Sequence, residues 1–115
     1  MKTYVYILKC TGRGAERLYI GYTTDLERRL AQHESGESGY TSKYEVSLLA
    51  HFVVTGRAAT VDGKWLERFL KRNRRYGYAI WAFKEGRLPL ERYERVIAFF
   101  QRRMAKEGIT CDLRL

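Results

Sequence analysis

The sequence predicts an α/β (α+β) fold: a small mixed or antiparallel sheet of three strands flanked by helices, in the order β-β-α-β-α-α. Three observations carry that prediction. Two short runs near the start alternate in polarity and are rich in tyrosine and β-branched residues, the signature of strands. A capping pattern follows them directly. After Gly56 the apolar period lengthens from two to that of a helix.

Thr3 to Lys9 sets Tyr4, Tyr6 and Leu8 on one face and Val5, Ile7 and Lys9 on the other. Residues 11 to 17, with Gly12 and Gly14, make the turn, and Leu18 to Tyr22 forms a second strand, most simply antiparallel to the first. Thr24 and Glu27 have capping-box spacing, and Asp25 and Glu27 suit the positive end of a helix dipole. The helix runs from Asp25 to about His33, with Leu26 and Leu30 inward and Arg29 stacked one turn below His33. Glu34 to Thr41 reads as a loop, and Val46 to Val54 as a third strand apolar enough to be central. Trp65, Leu66, Phe69 and Leu70 share one side of a helix ending near Tyr76-Gly77. Tyr78 to Phe83 is an aromatic run whose period assigns it neither to strand nor to helix. Pro89 opens a last helix with Leu90, Tyr93, Val96, Ile97, Phe100 and Met104 inward, stopping at Gly108.

At 115 residues and 45% hydrophobic, the chain suffices for one core and is too short for two. We expect a single domain, with a motif-bearing part at about 3–75 and a helical extension at about 76–115. No apolar run approaches the ~20 residues of a membrane span, and no leader peptide opens the chain, so a soluble, cytoplasmic protein is expected. Cys10 and Cys111 lack CxxC spacing, and His33 and His51 are the only histidines, so neither a disulfide framework nor a zinc site is indicated.

The formal net charge is +9 and unevenly distributed: residues 1–60 carry 8 Lys/Arg against 6 Asp/Glu, and residues 61–115 carry 14 against 7. Between Lys64 and Arg75, six cations surround a single acid, Glu67. Such a field attracts polyanions, although a solvated surface accounts for charge alone equally well.

Tyr4-Val5-Tyr6, Tyr19-Ile20-Gly21, the spacing Thr23-x-x-Leu26-x-x-Arg29 with His33 behind it, Tyr40-Thr41, and Glu67-x-x-Leu70-Lys71 follow one another in an order that resembles the GIY-YIG nuclease superfamily, most closely its small single-domain bacterial members. The likeness covers residues 3 to about 72. Tyr4 stands where the first motif has glycine, a departure that bears on strand geometry more than on chemistry. Gly21 is read as ending a strand beside the site.

The resemblance implies a metal-dependent DNA endonuclease that hydrolyses phosphodiester bonds; a structure-selective substrate and a role in DNA repair or recombination fit the same expectation. Its catalytic set maps onto Tyr6, Tyr19, Arg29, His33 and Glu67. Glu67 would hold one Mg²⁺ (or Mn²⁺) ion through a single carboxylate, with water completing the shell. Read alone, Glu67 is half of an exposed ion pair with Lys71. Arg29 would fork onto a phosphate oxygen. One of Tyr6 and Tyr19 would act as general base or orient the attacking water, helped toward phenolate by Arg29, Lys9 or the metal. Tyr4 competes on the same face. His33 would bond the phosphate or relay a proton.

Lys9, Arg28, Lys43, Arg68, Lys71 and Arg72 are the candidate nucleic-acid contacts, with Tyr22 and Tyr44 available for stacking or backbone contact. DNA is the expected partner, with RNA open. No further domain is visible to read sequence, so weak sequence preference, recognition of a DNA structure or dependence on a protein partner that supplies specificity is expected. Two rival readings remain: a non-catalytic nucleic-acid-binding module, and an adaptor acting through residues 90–107.

Overall fold

The computed structural model describes residues 2–39 and 41–115. Four strands form one antiparallel sheet: β1 (Lys2–Gly12), β2 (Ala15–Thr23), β3 (Glu45–Thr55) and β4 (Cys111–Arg114), in the spatial order β2-β1-β3-β4. The helices are α1 (Leu26–Glu34), α2 (Ala59–Arg72), α3 (Arg75–Lys84) and α4 (Leu90–Glu107), with a short 3-10 turn at Thr41–Lys43.

The expected sheet of three strands is therefore one of four. β4 pairs Cys111 with Val54 and Leu113 with Phe52. Only tertiary pairing distinguishes its four residues from a tail. Tyr78 to Phe83 belongs to α3, whose Tyr76, Ile80 and Trp81 are buried while Tyr78 stays 48% exposed. The N-cap of α1 is Asp25 rather than Thr24: its carboxylate accepts from the Arg28 N–H at 3.1 Å, and Thr23 Oγ1 accepts from the Asp25 N–H at 3.1 Å. Leu90, expected inward, is 57% exposed because α4 meets the core only from Tyr93 onward.

The alternation along β1 divides the molecule into three layers. Val5 and Ile7 join Leu66, Phe69, Leu70, Ile80, Phe100 and Met104 in the main core, covered by α2, α3 and α4. Tyr6, Leu8 and Cys10 face the other way and pack with Tyr19, Leu26, Leu30, Tyr44 and Val46 under α1. A bulge keeps Leu49 and Ala50 both buried on the main-core side, as the register with β1 shifts between Ile7 and Leu8. Tyr4 pairs regularly with Thr23 and Val53, so a tyrosine in the glycine position leaves β1 intact.

Gly63 lets α2 lie close on β1, because a Cβ there would overlap Thr3 Cγ2, and Thr3 is fully buried. Alanine normally gains about 1 kcal/mol over glycine in a helix, but overpacking costs about 1–3 kcal/mol. Gly63→Ala is accordingly expected to lower the melting temperature by several degrees. The Thr3→Ser background, which lacks that methyl, should recover most of the loss; a melting temperature unchanged or raised by Gly63→Ala alone would refute the tight contact.

Candidate active site

Antiparallel pairing places Tyr6 opposite Gly21 and Leu8 opposite Tyr19, so both tyrosines project from the α1 face. Their rings lie 6.3 Å apart at 30°, and the His33 ring meets both edge-on, with centroids at 5.6 and 5.1 Å. Gly21 is what makes room for this arrangement. A Cβ at that position would sit 2.5 Å from the Tyr6 hydroxyl, 2.6 Å from its Cζ and 3.2 Å from Tyr19 Cε1. Its role is thus steric, where the sequence suggested only the end of a strand.

The spacing of Arg29 and His33 on α1 delivers both to the Tyr6 hydroxyl. Arg29 Nε donates to it at 3.3 Å, and Tyr6 Oη lies 2.9 Å from His33 Nε2. Arg29 can only donate, so the Tyr6 oxygen accepts there; in the tautomer with the His33 proton on Nδ1, the Tyr6 hydroxyl donates to Nε2. In that tautomer Nδ1–H donates to Thr41 Oγ1 at 2.6 Å. Gln32 Oε1 accepts from an Arg29 terminal nitrogen at 2.9 Å, which fixes the guanidinium.

Electrostatics agree with these protonation states. Burial lowers the His33 pKa below the ordinary histidine value, and the neighbouring Arg29 lowers it further, so the ring is neutral at pH 7. Burial raises the Tyr6 hydroxyl above the ordinary tyrosine value, and the Arg29 hydrogen bond only partly opposes this. Arg29 does not turn Tyr6 into a phenolate. Its own pKa is raised chiefly by the bond to Tyr6, with Tyr19 adding to it.

Glu67 approaches from α2, on the opposite side of the sheet. Its charge is nonetheless felt at Tyr6, where it disfavours ionisation. β2 is an edge strand of the sheet. The Glu67 side chain is 16% exposed and pairs with Lys71 at 3.6 Å, a long, partly solvated contact of little strength. Among the described residues no three His, Cys, Asp or Glu side chains cluster as metal ligands. One hard carboxylate oxygen at a phosphate-attracting rim is a donor set that fits Mg²⁺, which keeps most of its waters and shares a site with phosphate.

Tyr6, Tyr19, Arg29 and His33 thus converge on the α1 side, while Glu67 stands on α2 across the sheet and bears on Tyr6 only through its charge. Lys9 does not join them. It projects with Val5 and Ile7 from the other face, where it pairs with Glu85 at 2.9 Å and lies 5.4 Å from the Trp81 ring centroid. It is corrected from a candidate helper of the tyrosines to one half of a surface ion pair. That bond is also the chief reason the Glu85 carboxyl is held down to about 2.

Tyr4 turns toward His51, with centroids at 6.2 Å, and lines a groove with Thr24, Asp25 and Leu30. Tyr22 faces α2, under Lys64. Arg28 and Lys43 are exposed on the α1 side. Arg68 and Arg72 are exposed on α2 and line a notch with Trp65, Phe69 and Arg103. Tyr40 lies outside the described residues. Sequence reasoning missed Thr41 and Gln32 as supports of His33 and Arg29. Thr41 stood within the quoted Tyr40-Thr41 pair, and Gln32 lies three residues from Arg29 on the same helix.

No helix among the described residues is long and apolar enough to cross a membrane. The family model for the GIY-YIG catalytic domain matches residues 2–79. Among curated proteins, a UPF0213 protein of Streptococcus pyogenes serotype M5 (strain Manfredo) and another of serotype M1 are each 40% identical over 76 residues, covering 64% of this chain and 77% of the relative. No solved structure matches the chain. With the motif residues gathered as described, the chain belongs to the GIY-YIG family, whose catalytic domain is of nuclease type.

Proposed function

We propose that the protein is a divalent-metal-dependent DNA endonuclease using one ion held by Glu67. The observation that carries the reading is the Arg29–Tyr6–His33–Thr41 chain, in which a buried hydroxyl is poised to hand its proton to a neutral imidazole. Water attacking a phosphodiester must lose a proton, and a phenol that is itself raised in pKa is a poor acceptor alone. With His33 behind it, Tyr6 takes the water proton as its own passes to His33 Nε2. The resulting imidazolium keeps its Nδ1–H on Thr41. Tyr19, half-buried beside Tyr6, would align the water.

Arg29 is half-buried and has N–H donors beyond those used by Tyr6, Tyr19 and Gln32, so it can fork onto a phosphate oxygen while holding Tyr6. Mg²⁺ bound by Glu67 would supply charge neutralisation at the phosphoryl oxygen and the leaving 3′ oxygen. Lys71 would release Glu67 for that purpose at small cost.

The Glu67–Lys71 ion pair is the one observation that favours a non-catalytic nucleic-acid-binding domain on the same fold, since it gives Glu67 a structural partner. Incubating the protein with plasmid, branched and single-stranded DNA, with Mg²⁺ or Mn²⁺ and with EDTA, separates the two. Cleavage that requires the ion is expected. DNA of all three kinds left intact in every condition would sink the enzyme reading.

A further inference from the structure

We infer that the flank of α4 turned toward α2, outside the stretch matched by the family model, is a nucleic-acid backbone-binding surface with Phe99 as a stacking platform. Spacing of three and four places Arg92, Arg95, Phe99, Arg102 and Lys106 along one exposed stripe of α4. The neighbouring stripe, one residue back at each position, holds Glu91, Glu94, Ala98, Gln101 and Ala105, of which Gln101 and Ala105 border an apolar cavity against β4. The cations Arg92, Arg95, Arg102, Arg103 and Lys106 share the flank toward α2 with one acid, Glu107, while Glu91 and Glu94 lie on the neighbouring stripe.

A helix charged merely for solubility interleaves signs to form i, i+4 pairs. Here Glu91 and Arg95 stand four apart without pairing, and among the described residues Arg92, Arg95, Arg102 and Lys106 have no acid within ion-pair distance. The α4 pair that does form is Arg103 with Glu107, at 3.0 Å.

Arg103 shows which way the cationic side faces. Its guanidinium lies 5.3 Å from the Phe69 ring centroid and 5.8 Å from that of Trp65, both on α2. With Arg68, Arg72 and Asn73 these residues line a notch of about 310 Å³. The basic surface therefore continues from α4 across the notch to α2, the helix that carries Glu67. Phe99 is 56% exposed with Arg102 over its ring at 4.6 Å, an apolar face left in a cationic field. A base can stack there while its phosphates meet the arginines. From Arg92 to Lys106 the stripe runs about 21 Å at ~1.5 Å per residue, roughly six steps of a strand advancing ~3.4 Å each.

The inference rests on the nuclease reading for its setting, but binding measured in EDTA tests it without cleavage. The quadruple variant Arg92→Gln, Arg95→Gln, Arg102→Gln, Lys106→Gln should bind a labelled 20-mer duplex at least about tenfold more weakly at 150 mM salt, with a log K against log salt slope shallower by about 2 to 4. Glu91→Gln with Glu94→Gln, on the neighbouring stripe, should not weaken binding. Phe99→Ala should weaken single-stranded binding about fivefold or more.

In the unaltered protein, DNA should slow acetylation of Lys106 relative to Lys2, a readout that needs no folded variant. Quadruple-variant affinity within twofold of wild type with an unchanged slope, or Lys106 labelled equally fast with and without DNA, overturns the inference. So does a loss confined to phosphatidylglycerol vesicles. If the wild type never cleaves but these shifts appear, only the nuclease reading fails. If it cleaves and the quadruple variant matches it in binding and cleavage, only this inference fails.

Discussion

Glu67→Gln is expected to reduce divalent-dependent DNA cleavage at least ~100-fold, about 2.7 kcal/mol of activation free energy, while leaving the fold and DNA affinity in EDTA essentially unchanged. Glutamine keeps the size and hydrogen-bonding reach of the side chain and removes only its charge. The structural loss is the Lys71 contact at 3.6 Å, which is long and partly solvated. A contact of that kind contributes less than ~1 kcal/mol. A merely structural Glu67 would therefore show a small shift in melting temperature and no change in cleavage. Measuring cleavage rate, thermal melting and EDTA-phase affinity on the same preparation distinguishes the two. Removing the charge also removes a small electrostatic penalty on Tyr6 ionisation, so the Tyr6 hydroxyl is expected to titrate at slightly lower pH in Glu67→Gln.

Gly21→Ala should be nearly as damaging, for a reason that lies in packing. The new methyl would stand 2.5 Å from the Tyr6 hydroxyl and 2.6 Å from Cζ, closer than non-bonded atoms tolerate. The Gly21 backbone is not in the left-handed region, so alanine adds no conformational strain and the clash acts alone. Tyr6 is about 1% exposed and has no free space to retreat into without losing His33 at 2.9 Å or Arg29 at 3.3 Å. Overpacking of this kind costs about 1–3 kcal/mol of stability, and misplacing a reacting group by ~1 Å can cost ~100-fold in rate. Denaturant unfolding and single-turnover cleavage would both be measured. Stability and rate within a factor of three of wild type would show that Tyr6 is not held where the steric argument requires.

Much of this site was legible because local rules act on it. Alternation put Tyr6 and Leu8 on the face opposite Val5 and Ile7, and a spacing of four put Arg29 and His33 on one side of α1. The same alternation also placed Lys9 on the wrong face to assist Tyr6, and the structure upholds the alternation. What sequence spacing does not convey is which layers meet. Glu67 lies on α2, across the sheet from α1, and its charge still disfavours ionisation of Tyr6, a relation set by how the layers stack.

The elements that escaped were those whose identity is decided by tertiary contact. Four residues at β4 are too few for a period, and they become a strand by pairing with His51 to Val54. The aromatic run in α3 has side chains that favour strands in isolation. It is helical because Tyr76 meets Phe69 and Phe100 and Phe83 stacks on Tyr93 at 4.0 Å, contacts that tie α3 to two other helices, α2 and α4. The cap of α1 moved by one residue because the Asp25 carboxylate accepts from the Arg28 N–H. That shift leaves the register of Arg29 and His33 untouched.

One ion at Glu67, beside the Tyr6–His33 pair, is the claim on which the rest depends, and Mn²⁺ added to the protein during NMR tests it without reference to activity. Resonances of Tyr6, Gly21 and Glu67 should broaden first in the wild type, and the effect should vanish in Glu67→Gln. Broadening centred elsewhere, or unchanged by Glu67→Gln, would contradict the assignment.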